Sequence, residues 1–130
     1  MKKIVILSDT HGNLSSIYSI YDILTESDMV FHLGDRYDDM NEFESVLGDK
    51  LYRVYGNCDF GGNPKEILVE VEGVRIFATH GDLYGVKRSL RSMPAKDNTN
   101  RGFTACFWLI LCCARGSYLC INPLARLVLI

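Results

Sequence analysis

The sequence predicts an α/β fold in which a mostly parallel sheet packs against helices. Three observations carry that expectation. Short apolar, β-branched runs alternate with segments whose apolar residues recur at helical spacing. The first two runs are continuously apolar rather than alternating, as strands buried on both faces should be. Polar residues with ligand-bearing side chains gather just past the ends of successive runs, at the edge where open α/β sheets bind ligands.

Ile4-Val5-Ile6-Leu7 is the first run and predicts a buried strand. Asn13 can cap the helix that follows, whose Ile17, Ile20, Tyr21, Ile23 and Leu24 form one apolar stripe. Met29-Val30-Phe31-His32-Leu33 predicts the second strand, stopped by Gly34-Asp35. Met40, Phe43, Val46 and Leu47 mark a shorter helix, and Gly48-Asp49 suits its end. A third strand over residues 51–54 runs into Gly56-Asn57-Cys58-Asp59 and a glycine-rich loop ending at Pro64. Residues 67–71 and 74–79 flank Glu72-Gly73, which is a hairpin signal. Residues 105–114 are apolar without a break. They fall short of the ~20 that a membrane-spanning helix needs and read as a buried helix or strand. Residues 124–130 are apolar apart from Arg126, and such an end would invite aggregation if exposed.

The composition bounds the function. A chain of 130 residues, 48% hydrophobic and 23% charged, suits one domain spanning 1–130. A net charge of -2 argues against a nucleic-acid binder, which would carry a Lys/Arg excess. The apolar run after Lys3 ends at Asp9, which does not suit a signal peptide, and no membrane association is expected. Five Cys without a secretion signal suggest a reducing, cytoplasmic setting. The averages conceal two unlike halves. Residues 1–86 hold seven Lys/Arg against fifteen Asp/Glu, a net of -8, whereas residues 87–130 hold seven against Asp97 alone, a net of +6.

Four strand ends offer nitrogen or oxygen ligands. They are Asp9-Thr10-His11, Gly34-Asp35, Gly56-Asn57-Cys58-Asp59 and Thr79-His80-Gly81-Asp82. Each alone reads equally well as a turn, but four in succession form a pattern. Asp, His, Asn and His together suit a borderline divalent cation rather than Ca²⁺. Asp35 can bridge two ions, and two cations ~3.5–4 Å apart would clamp a phosphoryl group. Two carboxylates against two divalent ions leave such a site positive, as a phosphoester requires.

At these blocks the sequence resembles the calcineurin-like metallophosphoesterases, and among them the small YfcE-type phosphodiesterases. The resemblance covers residues 1 to about 90. It implies a β-sandwich flanked by helices, incomplete at the C-terminus, and a two-metal site with Asp9 and His11 on one ion, Asp35 bridging, and Asn57 and His80 on the other. The metal it implies is Mn²⁺, with Fe²⁺, Zn²⁺ or Ni²⁺ as alternatives. Cys58 stands where many of the superfamily have a His that protonates the leaving group, and Asp59 supports the site from behind. Asp35, Asn57, Cys58 and Asp59 are thus the expected catalytic group. The implied reaction is hydrolysis of a small phosphodiester by a metal-bridged hydroxide, in a monomer or homo-oligomer.

The later residues depart from that pattern. The family closes its site with Gly-His-x-His, yet this chain holds three His, namely His11, His32 and His80, and His32 lies inside a strand as a core histidine. Cys106, Cys112, Cys113 and Cys120 lack Cys-x-x-Cys spacing and do not suggest zinc. Lys87, Arg88 and Arg91 read as a solvated helix face. Residues 91–130 therefore read as a divergent or frameshifted tail. Gly116-Ser117-Tyr118 can be encoded so that the next frame reads Gly-His, the start of the expected block. The alternative function is a non-catalytic scaffold of the same fold, or an inactive truncated product.

Overall fold

The computed structural model describes residues 2–85 and three later strands over residues 106–110, 118–119 and 126–129. In chain order the described strands are β1 (Lys3–Leu7), β2 (Met29–His32), β3 (Leu51–Arg53), β4 (Glu66–Val71), β5 (Val74–Thr79), β6 (Cys106–Ile110), β7 (Tyr118–Leu119) and β8 (Arg126–Leu129). The α-helices among the described residues are short: α1 (Leu14–Tyr18), α2 (Tyr21–Glu26) and α3 (Glu44–Leu47).

Two four-stranded sheets result. The first has the order β3-β2-β1-β8 and is parallel throughout. The second has the order β4-β5-β6-β7 and is mixed, because the β4–β5 hairpin is antiparallel while β5 and β6 run parallel. The hairpin turns where expected, with Glu72 and Gly73 both left-handed at φ 51° and 77°. The parallel expectation from the strand–helix alternation therefore holds for the first sheet only.

Period-two alternation explains the layering. Ile4 and Ile6 of β1, with Met29 and Phe31 of β2, point to one side and pack with Ile76 and Ala78 of β5. Ile67, Val69 and Val71 of β4 close this inter-sheet core. Val5, Leu7 and Val30 point the opposite way, against Ile17, Leu24, Met40, Phe43 and Leu47. Each large side chain buried in either cluster contributes ~1.5–3 kcal/mol. The first sheet is thus covered on both faces, by the second sheet and by the helices, which is why β1 and β2 are uniformly apolar.

The helices depart in detail from the expected ones. Asn13 caps α1 as its side chain suggests, accepting from the Ser16 N–H at 3.3 Å. The single helix expected through Leu24 breaks at Ser19 and Ile20. There the Ser19 hydroxyl turns back to the Ser16 carbonyl at 2.6 Å, and the Ile20 N–H reaches only to Ile17. The later helix is preceded by a 3₁₀ segment, Tyr37–Phe43, and Val46 faces solvent rather than the core.

The sequence leaves unassigned the later strands that would finish the sheets, apart from the buried helix or strand expected within residues 105–114. In the structure β6 and β7 extend the second sheet and β8 lies beside β1 in the first. Within residues 105–114 the described part, Cys106–Ile110, is a strand. Lys87, Arg88 and Arg91, the side chains of the four later Cys, and Gly116 and Ser117 of the reading-frame argument lie outside the described residues. No helix among the described residues is long and apolar enough to cross a membrane.

Candidate metal centre

Parallel register delivers the first two loops to one edge. Leu7 pairs with His32, and the ladder continues through Leu33 N–H to Leu7 O and Asp9 N–H to Gly34 O, both 2.9 Å. Asp9 and Asp35 therefore leave the sheet side by side. β3 adds the third loop through Val54 N–H to His32 O at 3.0 Å. Residues there hold unusual backbone, with Asp9, His11 and Asp35 left-handed at φ 55°, 47° and 59°. Non-glycine residues persist in that region only when their surroundings over-determine it.

Glycines allow the loops to close on each other. A methyl group on Gly34 would overlap the backbone of Gly56, and one on Gly56 would overlap the Asp35 carboxylate. Asp59 then ties the two loops together. Its carboxylate accepts from the N–H groups of Asp35, Arg36, Tyr37 and Gly56 at 2.7–3.0 Å. Burial pushes this carboxyl up, but the four backbone donors outweigh it and hold Asp59 below the usual carboxylate range.

The five residues expected as metal ligands come together. His11 Nε2 lies 3.9 Å from both Asp9 Oδ1 and Asp35 Oδ2. His80 Nε2 lies 3.5 Å from Asp35 Oδ1 and 3.0 Å from Asn57 Oδ1. Asp9, Asp35 and His80 place ligand atoms within 4.8 Å of one another. Burial raises Asp35, yet the Cys58 N–H at 2.8 Å and the neighbouring His80 and His11 rings leave it net lowered.

Two details show that this donor set fits a cation. Asp9 Oδ1 is buried without a hydrogen-bond partner among the described residues. His80 is fully buried, and its Nδ1 sits 2.8 Å from the Leu33 carbonyl, which only accepts. Nδ1 therefore carries a proton, and Nε2 faces two further oxygens, Asn57 Oδ1 and Asp35 Oδ1. Asn57 Nδ2 donates to Cys58 Sγ at 3.3 Å, which leaves its Oδ1 aimed at His80. Lone pairs that converge in this way call for a proton or a metal cation between them.

The profile of the calcineurin-like phosphoesterase superfamily domain matches residues 1–107. The chain belongs to that family. The match runs beyond residue 90, where the motif blocks stop. Among related proteins of this family, YsnB of Bacillus subtilis strain 168, described as a probable metallophosphoesterase, is 35% identical over 91 residues. That alignment spans 67% of this chain and 51% of YsnB. A conserved Streptococcus pneumoniae TIGR4 protein, described as a predicted phosphoesterase, has a crystal structure that superposes with a TM-score of 0.55. It is 29% identical and covers 70% of this chain and 52% of that one. YfcE, a phosphoesterase from E. coli, superposes with a TM-score of 0.51 at 23% identity, covering 67% and 61%, and supports the fold. The chain spans about half the length of the first two relatives. Family membership implies divalent metal ions, and the Asp/His cluster suits them.

As a member of this family the chain also shows parts its sequence did not announce. Asp39 is buried and accepts from Thr10 Oγ1 and the Gly12 N–H, both at 2.7 Å. It thereby holds the loop that carries Asp9 and His11. His32 is the core histidine expected, fully buried with Nε2 3.0 Å from Thr10 Oγ1. Burial pushes its pKa down to about 4, against the opposing pull of Asp39.

Proposed function

We propose that this chain is a metal-dependent phosphoesterase acting on phosphodiesters at a two-metal centre. The observation that carries the reading is the pair of ligand groups sharing one carboxylate: Asp9, His11 and Asp35 on one side, Asp35, Asn57 and His80 on the other. Asp9, His11 and Asp35 would hold one cation, and Asp35, Asn57 and His80 would hold the second. Mn²⁺ is the preferred ion, with Fe²⁺, Zn²⁺ or Ni²⁺ as alternatives that the same donors accept. When bound, such ions supply positive charge to the phosphoryl oxygens and lower the pKa of water.

The chain's own groups do the remaining work. Two carboxylates against two divalent ions leave the centre positive toward a phosphoester. The Cys58 N–H fixes the Asp35 carboxylate, and the Cys58 thiol would give its proton to the departing alcohol. Asp59 sets the geometry of Asp35 through the backbone it binds. The test is turnover of a chromogenic phosphodiester by Mn²⁺-loaded protein. Turnover abolished by Asp35→Ala and by His80→Ala supports the enzyme.

A second reading has its own observation. The chain holds three His, and one of them, His32, is buried away among core groups. Under that reading the fold is a binding scaffold, and millimolar Mn²⁺ gives no turnover.

A further inference from the structure

A cavity of about 170 Å³ opens beside Cys58. Its walls are the residues that directly follow two of the proposed ligands: Arg36, Tyr37 and Asp38 after Asp35, and Cys58, Phe60 and Gly61 after Asn57. The cavity is thus part of the same two loops that Asp59 clamps together. Cys58, whose thiol the proposed function assigns to the departing group, is one of its lining residues.

The walls are built and rigid. Tyr37 and Tyr55 stack at 3.9 Å with an 8° interplanar angle. The Arg53 guanidinium covers the outer face of Tyr37 at 4.2 Å, and Gly62 lies against the Tyr55 ring, where a methyl group would overlap it. Both rings therefore have their faces covered and offer the cavity their edges. Arg36 is held left-handed at φ 88° by the Asp59 carboxylate on its N–H. Phe60, in contrast, is fully exposed at the rim and keeps its ring face open. A lone exposed Phe is unremarkable, but this one lines the cavity and leaves its ring free to stack.

We infer that this cavity receives the leaving group of the substrate and that the group is a single planar ring, of phenyl or pyrimidine size, stacked on Phe60. A cavity of ~150 Å³ suffices for benzene, which sets the size. Charge sets the class. The lining carries Asp38 and Asp59 against Arg36, and Arg36 already faces Asp39 at 3.6 Å. A second phosphate there would meet carboxylates, so a neutral ring is favoured over a polyphosphate. The inference rests on the metal-centre reading for its orientation, though the cavity exists apart from it.

The experiment compares phenyl phosphate with methyl phosphate on the Mn²⁺-loaded chain, by calorimetry and by amide NMR shifts. Phenyl phosphate is expected to bind about tenfold more tightly, with shifts at Arg36, Tyr37, Phe60 and Gly61. Phe60→Ala, at a fully exposed position, should remove most of that preference and leave methyl phosphate binding unchanged. Equal affinities, or a preference that survives Phe60→Ala, would overturn the inference. If no Mn²⁺ binds, the metal-centre reading fails on its own, and benzyl alcohol titrated into the metal-free chain decides the cavity. Shifts at residues 36–38 and 58–61 then uphold it, and their absence rejects it.

Discussion

Asp9 and Asp39 show how two carboxylates on neighbouring loops take different roles. Asp9 keeps one buried oxygen without a hydrogen-bond partner among the described residues, whereas Asp39 commits an oxygen to Thr10 and Gly12. Asp9 is the proposed ligand; Asp39 holds the left-handed loop that carries it. Asp39→Ala should lower stability by about 2 kcal/mol in urea unfolding, because the Thr10 hydroxyl and the Gly12 N–H lose a charged acceptor. It should also weaken Mn²⁺ binding by roughly 10–100-fold, the usual effect of removing a group that orients a ligand. Asp39→Asn, which keeps an acceptor oxygen, should recover much of both. A loss of stability with unchanged Mn²⁺ affinity would mean that the loop does not depend on Asp39. The proposed ligands were legible in the sequence because each sits one to four positions past an apolar run. Asp39 was not, since Asp38-Asp39 reads as a solvated acidic pair, and only tertiary packing carries it across 27 residues to Gly12.

Among the elements, the meeting of the Gly34-Asp35 and Gly56-Asn57 loops decides whether a site forms. The strands that lead into them follow from their apolar runs, but the loop contact depends on two missing side chains. Gly56→Ala would drive a methyl group into Asp35 and to 3.0 Å from His80 Nδ1. We expect it to cost about 3 kcal/mol, the upper end for overpacking, and to abolish Mn²⁺ binding. Gly61→Ala is the control, because its added methyl meets nothing within 4 Å. Its φ of +58° leaves only a conformational cost of about 1–2 kcal/mol. Thermal unfolding of both variants checks the contrast, and equal losses would contradict the close-approach argument. The helices were less legible than the strands. The apolar stripe from Ile17 to Leu24 is continuous in sequence, yet Ser19 bends the chain there by satisfying a carbonyl with its own hydroxyl.

For the molecule as a whole, two sheets share one inter-sheet core while the helices cover the outer face of the first. The local signals showed the parallel half of this arrangement. The closing of both sheets by β6, β7 and β8 was invisible, because pairing partners that far apart leave no periodic trace in sequence. Stability of the whole should also respond to pH through His32. Its folded pKa of about 4 lies below the usual 6.5, so the unfolded chain binds the extra proton between those values. Stability should be fully present above pH 6.5 and fall by about 1.4 kcal/mol per unit as pH drops toward 4. Urea midpoints across that range, compared with those of His32→Asn, isolate the contribution. An identical pH slope in the variant would assign it to other groups.

The central claim is that Asp35 is shared by two cation sites built from Asp9, His11, Asn57 and His80. Calorimetric titration of the chain with Mn²⁺, beside Asp35→Asn, tests it most directly. Two Mn²⁺ ions are expected to bind each unaltered chain, and neither is expected to bind the variant. No binding at millimolar Mn²⁺, or a stoichiometry that Asp35→Asn leaves unchanged, would contradict it.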